Sequence, residues 1–580
     1  MHFCKYLIFI LFFSVALPGW TQVQVVELLK DINPQSSSSE HNFMSESNGK
    51  LFISANDDSH GIELWVSDGT ESGTQLLKDI YPGPSSSDAG WNNHFASCNG
   101  KLFFIACHNG PGTSTLWITD GTNEGTHQVL NDSLLHVINK ELFVYNEKVY
   151  FSGYDGDPAH GPQCHGHELW CSDGTEESTY MVKDIRPNDT VNYGVSGSDP
   201  ERFCEFNGLL YFMAYDGPQG VNGGHSGELW VTDGTEEGTH LVKDIAQVNL
   251  TARPEHLTVC DDKLFFTTDD GIHGIELWVT DGTEEGTHLV KDIYPGINQF
   301  GNPNNSTPSY LTNLNGTLFF LAHVNDGSYL WKSDGTEEGT VNLSAQANIH
   351  FPINLKPYGD MLVFLAYENE DNWEPYSWTE SEGVQLIKEI NPATSGGLPG
   401  IDFNPMVDFP EGFVEYKNKL YFRAAKDGFT TTMWQTDGTE EGTVVMPGQE
   451  NFPIPDPVSP AYISEFTFIV NDGSLYYPAA YDQTGVEVYK YTDNTVEINE
   501  LPVSTLQIYP NPTNDELSIK LNNSESGLAS LTILDATGQT IVEKTFIDKI
   551  NLNVSSYPGG VYFVKIKTGT FNEVHKIVIK

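Results

Sequence analysis

The residues of this chain best suited to chemistry are histidines at a recurring station. His60-Gly61, His165-Gly166 and His273-Gly274 each stand just ahead of a Glu-Leu-Trp phrase, and His225-Ser226-Gly227 is a looser copy. An imidazole changes charge near neutral pH, so it can move a proton, ligate a metal or hydrogen-bond a ligand. The four copies lie on separate repeats, which disfavours their meeting on one metal. The plain reading is a turn residue in a surface loop. The functional reading is a ligand-contacting face that carries His60, His165, His225 and His273.

Other catalytic signatures are missing from the sequence. There is no Gly-x-Ser-x-Gly elbow, no His-Glu-x-x-His and no phosphate-cradling glycine loop. Acidic pairs such as Glu284-Glu285 sit on turn tips, where they read as solvated surface. Thr-Asp-Gly-Thr-Glu-Glu-Gly-Thr has the composition of a calcium loop but not its spacing. No catalytic residue, resident metal or cofactor is therefore assigned, and calcium is the one ion the acidic surface could take. The chain reads as a binding protein rather than an enzyme. A secreted glycan hydrolase or lyase is the alternative, on analogy of fold alone.

The elements that position these histidines repeat about every fifty residues, which is the period of a propeller or solenoid. The tryptophans at 65, 117, 170, 230, 278, 331, 378 and 434, followed by Tyr489, mark nine units. In the clearest unit, Leu277 and Val279 alternate with Trp278 and Thr280 as in a strand, Asp281-Gly282-Thr283 turns the chain, and His288 to Ile293 is a second strand. Ahead of it lie two more strands, joined in most units by a turn such as Asn48-Gly49, Asn99-Gly100, Asn207-Gly208, Asn315-Gly316 or Asp472-Gly473. The strand after that turn is apolar throughout, as in Leu318-Phe319-Phe320-Leu321, and must be covered on both faces. Four antiparallel strands stacked between neighbours make a propeller blade. The fold expected is all-β, a propeller of eight or nine blades over residues 23–500. Val26 to Pro34 copies a fourth strand with no blade before it, so it should complete the last blade and close the ring. The tryptophans read as packing between blades, and the Asp of Asp-Gly-Thr as an Asx-turn on its own backbone.

These units resemble the Glu-Leu-Trp-x-Thr-Asp-Gly-Thr-x-x-Gly-Thr repeats of exported bacterial proteins of Bacteroidota type, over roughly residues 26–490. The resemblance implies a propeller and no common activity. The seventh unit departs from it at Ser377-Trp378-Thr379-Glu380, and the ninth has Tyr489 for Trp.

Composition sets the surroundings. With 29 basic and 79 acidic residues the formal charge is −50, which repels nucleic acid and anionic membranes. Lys5 followed by the apolar run from Tyr6 to Ala16 reads as a secretory signal over residues 1–22, too short for a membrane anchor, and no other stretch reaches spanning length. Once the signal and Cys4 are removed, Cys98, Cys107, Cys164, Cys171, Cys204 and Cys260 remain. Their pairing is not legible, and a bridge between Cys164 and Cys171 is the preferred reading.

After a linker at residues 501–505 the charge changes character. Residues 506–580 carry seven acidic and seven basic residues and several short strands, fitting a small β-sandwich. Ile508-Tyr509-Pro510-Asn511-Pro512, Leu534-Asp535-Ala536-Thr537-Gly538 and Tyr557-Pro558-Gly559-Gly560-Val561-Tyr562 are similar to the type A sorting domain of the type IX secretion system. That resemblance implies the secretion translocon as a partner and a destination at the cell surface or outside the cell. The propeller would there act as a binding or adhesion module, for a glycan or protein ligand.

Overall fold

The computed structural model describes residues 24–34, 38–39, 43–90, 94–109, 114–130, 136–137, 141–155, 165–187, 197–216, 227–246, 251–325, 327–344, 347–368, 373–390, 412–425, 431–448, 468–479, 481, 485–494, 506–509, 512–521, 529–535, 539–547, 549–567 and 572–580. The expected signal at residues 1–22 lies outside them. The chain forms two compact units, Met1–Asn494 and Thr495–Lys580. The described elements are all strands, and none of them is a helix able to cross a membrane.

In the first unit the described strands form nine antiparallel sheets. We number these blades one to nine and letter their strands A to D in chain order. Blade five shows the plan: A is Glu255–Cys260, B Lys263–Asp269, C Ile275–Thr280 and D His288–Lys291. Blade three has an A strand in two short pieces, His136–Val137 and Phe143–Tyr145, both paired with its B strand Lys148–Tyr154.

The B strands are apolar on both faces because each face packs on a different neighbour. Phe265 joins Leu318 and Phe320 of blade six, while Phe266 joins Leu229 and Val231 of blade four. Similar clusters join every adjacent pair of blades. The repeat tryptophans are buried within this packing, with Trp278 7 % and Trp170 9 % exposed, so they form no open aromatic ring for a sugar.

The turns follow from their residues. Asn48-Gly49 and its copies have positive φ at both positions, as a two-residue hairpin requires. In the C–D turn, Asp281 Oδ1 accepts from Thr283 N at 2.9 Å and Thr283 Oγ1 at 2.7 Å, while Thr280 and Thr287 bond each other across the hairpin at 2.7 Å. A Cβ on Gly286 would stand 2.0 Å from that carboxylate oxygen, so a side chain there requires the carboxylate to shift, and only blade three carries one at this position of the motif, Ser178.

The ring closes as the orphan strand implied. Gln24–Leu28 pairs with Glu487–Asp493 as strand D of blade nine, with Leu28 opposite Tyr489. Leu29 and Ile32 pack with Tyr476 and Val488 of blade nine and with Met44 and Leu51 of blade one. Of the two blade numbers expected, the described sheets give nine.

One expectation is corrected. Cys171 is a free thiol, not half of a bridge, because strand alternation turns it into the core between blades three and four beside Leu169, Leu210 and Phe212. Cys164 lies outside the described residues. Cys98, Cys107, Cys204 and Cys260 are also free.

The second unit contains a three-stranded and a four-stranded sheet around Leu517, Ile519, Leu531, Ile533, Val564 and Ile566, a β-sandwich as expected.

Candidate functional site

Antiparallel order places all B–C loops and all connections between blades on one face of the ring, and the A–B and C–D turns on the other. The predicted histidines are in B–C loops: His60 in blade one, His165 in blade three and His273 in blade five. They share a face without meeting. His225 lies outside the described residues, as does most of the long loop before His165.

Each described histidine is gripped by an aspartate. Asp270 Oδ2 lies 2.7 Å from His273 Nδ1, and its Oδ1 accepts from the backbone N–H of Ile272 and of His273, both at 2.8 Å. Asp57 holds His60 in the same way, at 2.8 Å to the ring and 2.8 Å to the N–H. Asp155 holds His165 at 2.7 and 2.8 Å. The hydrogen bond to the carboxylate raises the pKa of all three imidazoles above the ordinary value. Burial pushes the Asp270 carboxyl up, and the hydrogen bonds from His273 and Ile272 outweigh it, so it ends below the usual carboxylate value. The glycines after the histidines, Gly61, Gly166 and Gly274, all have positive φ. This pattern fixes a turn and commits one ring nitrogen. Among the described residues no three His, Cys, Asp or Glu side chains are arranged to hold a metal ion.

The Glu of Glu-Leu-Trp and the Lys of Leu-Val-Lys-Asp-Ile were not singled out by the sequence reading. Glu63, Glu168, Glu228 and Glu276 are almost completely buried. Glu276 accepts from Ile293 N, Tyr294 N, Ser306 N and Ser306 Oγ, joining its own blade to the chain entering the next. Burial pushes these four carboxyls up to about 7. Glu487 performs the same task at ring closure, accepting from Ile32 N at 3.3 Å, and burial pushes it to about 8. Where present, the lysines staple a D strand to the next blade: Lys78 to Thr126 O at 2.7 Å, Lys243 to Thr287 O at 2.6 Å and Lys291 to Thr340 O at 3.0 Å. The joint recurrence of this Glu and Lys in blades one, three, four, five, seven and nine, and their joint absence from blades two, six and eight, was the available signal.

On the histidine face, a cavity of about 800 Å³ opens among blades three, four and five. Arg186, Asp199, Tyr215, Arg253, Glu255 and Asp269 line it. His167 and Ile275, two residues after His165 and His273, stand at its edge. Arg186 is only 4 % exposed and donates through Nη1 to Gly197 O at 3.1 Å. Arg253 lies 3.6 Å from Glu255 and 3.8 Å from Glu201, and Arg202 lies 3.6 Å from Glu255. These are ion-pair distances longer than a hydrogen bond.

Residues 507–580 match the secretion system C-terminal sorting domain family. No curated protein matches the chain. Among solved structures, one of two prolyl endopeptidases studied for inter-domain dynamics is similar at 12 % identity and a TM-score of 0.36, over 69 % of this chain and 55 % of that one. A puromycin-hydrolyzing peptidase of Mycobacterium tuberculosis gives 11 % and 0.36, over 69 % and 60 %. The β-propeller domain of the Trilobed protease from Pyrococcus furiosus gives 9 % and 0.30, over 60 % and 96 %. The chain thus spans little more than half the length of the two whole peptidases. These likenesses bear on neither activity nor ligand. The sorting tail directs the protein through type IX secretion to the cell surface or the extracellular space.

Proposed function

We propose that the propeller is an extracellular binding module, delivered by its sorting tail and contacting its ligand on the face of the B–C loops. The observation that carries this reading is the cavity among blades three to five, concave and lined by both donors and acceptors. Concave sites of this size with a few convergent polar groups are where rigid scaffolds take ligands. The aspartate-gripped His60, His165 and His273 serve as turns that hold their B–C loops in shape.

The test is binding of the labelled secreted protein to whole cells and to extracellular polymers, beside the charge reversal Arg253→Glu. We expect saturable binding that falls at least about tenfold in the variant, as loss of a central charged contact does. Unchanged binding by R253E would remove the cavity from the reading. Product analysis of the same samples tests the hydrolase or lyase alternative, which turnover would establish.

A further inference from the structure

Four consecutive blades share a backbone strain in strand A. In the A strands of blades four, five and six, pairing with strand B slips by one residue between Glu201 and Cys204, Glu255 and Thr258, and Ser309 and Thr312. Blade seven slips twice, between His350 and Ile353 and between Ile353 and Lys356. The first residue inside each bulge is Arg202, His256, Tyr310, Phe351 or Asn354, with φ of 63°, 57°, 54°, 49° and 55°. A bulge of this kind ordinarily puts glycine there. Asparagine tolerates the left-handed region, whereas arginine and tyrosine adopt it only under strain. The strain is held locally, because Thr258 Oγ1 donates to His256 O at 2.9 Å and Thr312 Oγ1 to Tyr310 O at 2.8 Å.

In blades four, five and six the bulge lies at the start of strand A, on the face where the cavity opens. Arg202 joins the two features through Glu255, which lines the cavity. The chain has four arginines, and Arg186, Arg202 and Arg253 are all at this place. The neighbourhood is nevertheless not an anion trap, since Asp199, Glu201, Glu255 and Asp269 accompany them. Guanidinium and carboxylate side by side and the half-buried aromatic ring of Tyr215 suit a ligand whose neighbouring hydroxyls both donate and accept. Such a ligand also presents C–H faces to aromatic rings.

We propose that the cavity and the bulged residues Arg202 and His256 beside its Glu255 form one carbohydrate-binding site, which takes a neutral glycan chain across blades three to five. The proposal rests on the binding-module reading and names the ligand class. In blades four and five the bulge spends backbone stability to set Arg202 and His256 beside the cavity, whereas Tyr310 and Asn354 of blades six and seven pack between blades.

The experiment uses the full secreted protein and calorimetric titration with hexaoses of β-glucan, mannan, xylan and chitin, beside oligogalacturonate. Arg202→Gly and His256→Gly remove the side chains while relieving the left-handed strain. Expected are binding to at least one neutral hexaose, a loss of at least about tenfold in each glycine variant, and a Tm equal to or above that of the wild type. Equal affinity of the glycine variants would overturn the site. Preference for oligogalacturonate would overturn the neutral ligand. Absence of hexaose binding, with cell or polymer binding retained and sensitive to R253E, would overturn the carbohydrate class and leave the binding module standing.

Discussion

Replacing Glu276 with glutamine separates what the buried carboxylate does by shape from what it does by charge. Its donors are Ile293 N at 3.0 Å, Tyr294 N at 3.4 Å, Ser306 N at 3.1 Å and Ser306 Oγ at 2.5 Å. A glutamine keeps one carbonyl oxygen for two of them and turns an NH2 toward the others. The serine hydroxyl can accept from that NH2, but the backbone N–H cannot. One buried donor is orphaned, at a cost of about 1–3 kcal/mol. The charge term depends on pH. Burial raises the Glu276 carboxyl from 4.5 to about 7. A carboxyl raised in the folded state contributes stability that is fully present below its unfolded pKa and is lost as pH rises through its folded pKa. A start at about pH 5.5 keeps clear of the isoelectric point near 4.4. From there to the folded pKa is about 1.5 pH units, and at about 1.4 kcal/mol each the wild type loses roughly 2 kcal/mol. E276Q has no such group to titrate. Its deficit in denaturant unfolding should therefore be about 1–3 kcal/mol at about pH 5.5 and shrink by about 2 kcal/mol by about pH 8. Titrations shared with the wild type cancel in the difference. A deficit constant to within about 0.5 kcal/mol across that range would refute a buried, titrating Glu276.

Three further perturbations follow from the repeated contacts. Lys291→Met keeps the aliphatic stem but removes the bonds to Glu337 O and Thr340 O, so denaturant unfolding should show a loss of about 1–2 kcal/mol. Asp270→Asn removes the carboxylate that raises His273, and NMR titration of that ring should find its pKa lower, near the ordinary imidazole value. The stabilisation this dyad gives the wild type is present below the unfolded imidazole pKa and fades as pH rises through the raised folded one, so D270N should lose most stability on the acidic side. Gly286→Ala drives a Cβ to 2.0 Å from Asp281 Oδ1 and should cost about 1–3 kcal/mol, a cost that Asp281→Ala in the same chain largely relieves in a double-mutant cycle.

The sequence disclosed the repeat and its closure because both rest on local, periodic signals. Asn48-Gly49 needs positive φ, Leu264-Phe265-Phe266 needs cover on two faces, and Val26 to Leu28 is a fourth strand without a blade. Each of these is a statement about a few adjacent residues. The roles of Glu276 and Lys291 were visible as recurrence but not as chemistry. Their partners, Ser306 and Thr340, are thirty and forty-nine residues away, and only the stacking of blades brings them into contact. The histidines show the opposite case, where the residue is conspicuous and its partner is close at hand. Asp270 stands three residues before His273, and the spacing is that of a turn in which a side chain takes the place of a backbone acceptor.

The candidate site was the least legible part, for a physical reason. Arg202, His256, Tyr310 and Asn354 share no residue type, so no motif unites them. They are united by a backbone slip, and a slip is a property of pairing between strands rather than of either strand alone. A position needed only for the slip would, over repeated copies, hold the residue that fits the left-handed region best, which is glycine. Tyr310 and Asn354 answer to packing between blades, whereas Arg202 pairs with the cavity residue Glu255 and His256 follows it, so there the side chain matters more than the strain. The regular parts of this ring are where its copies agree and hold one another in place. Recognition is to be sought where equivalent positions disagree at an energetic cost beside the cavity, which happens in blades four and five.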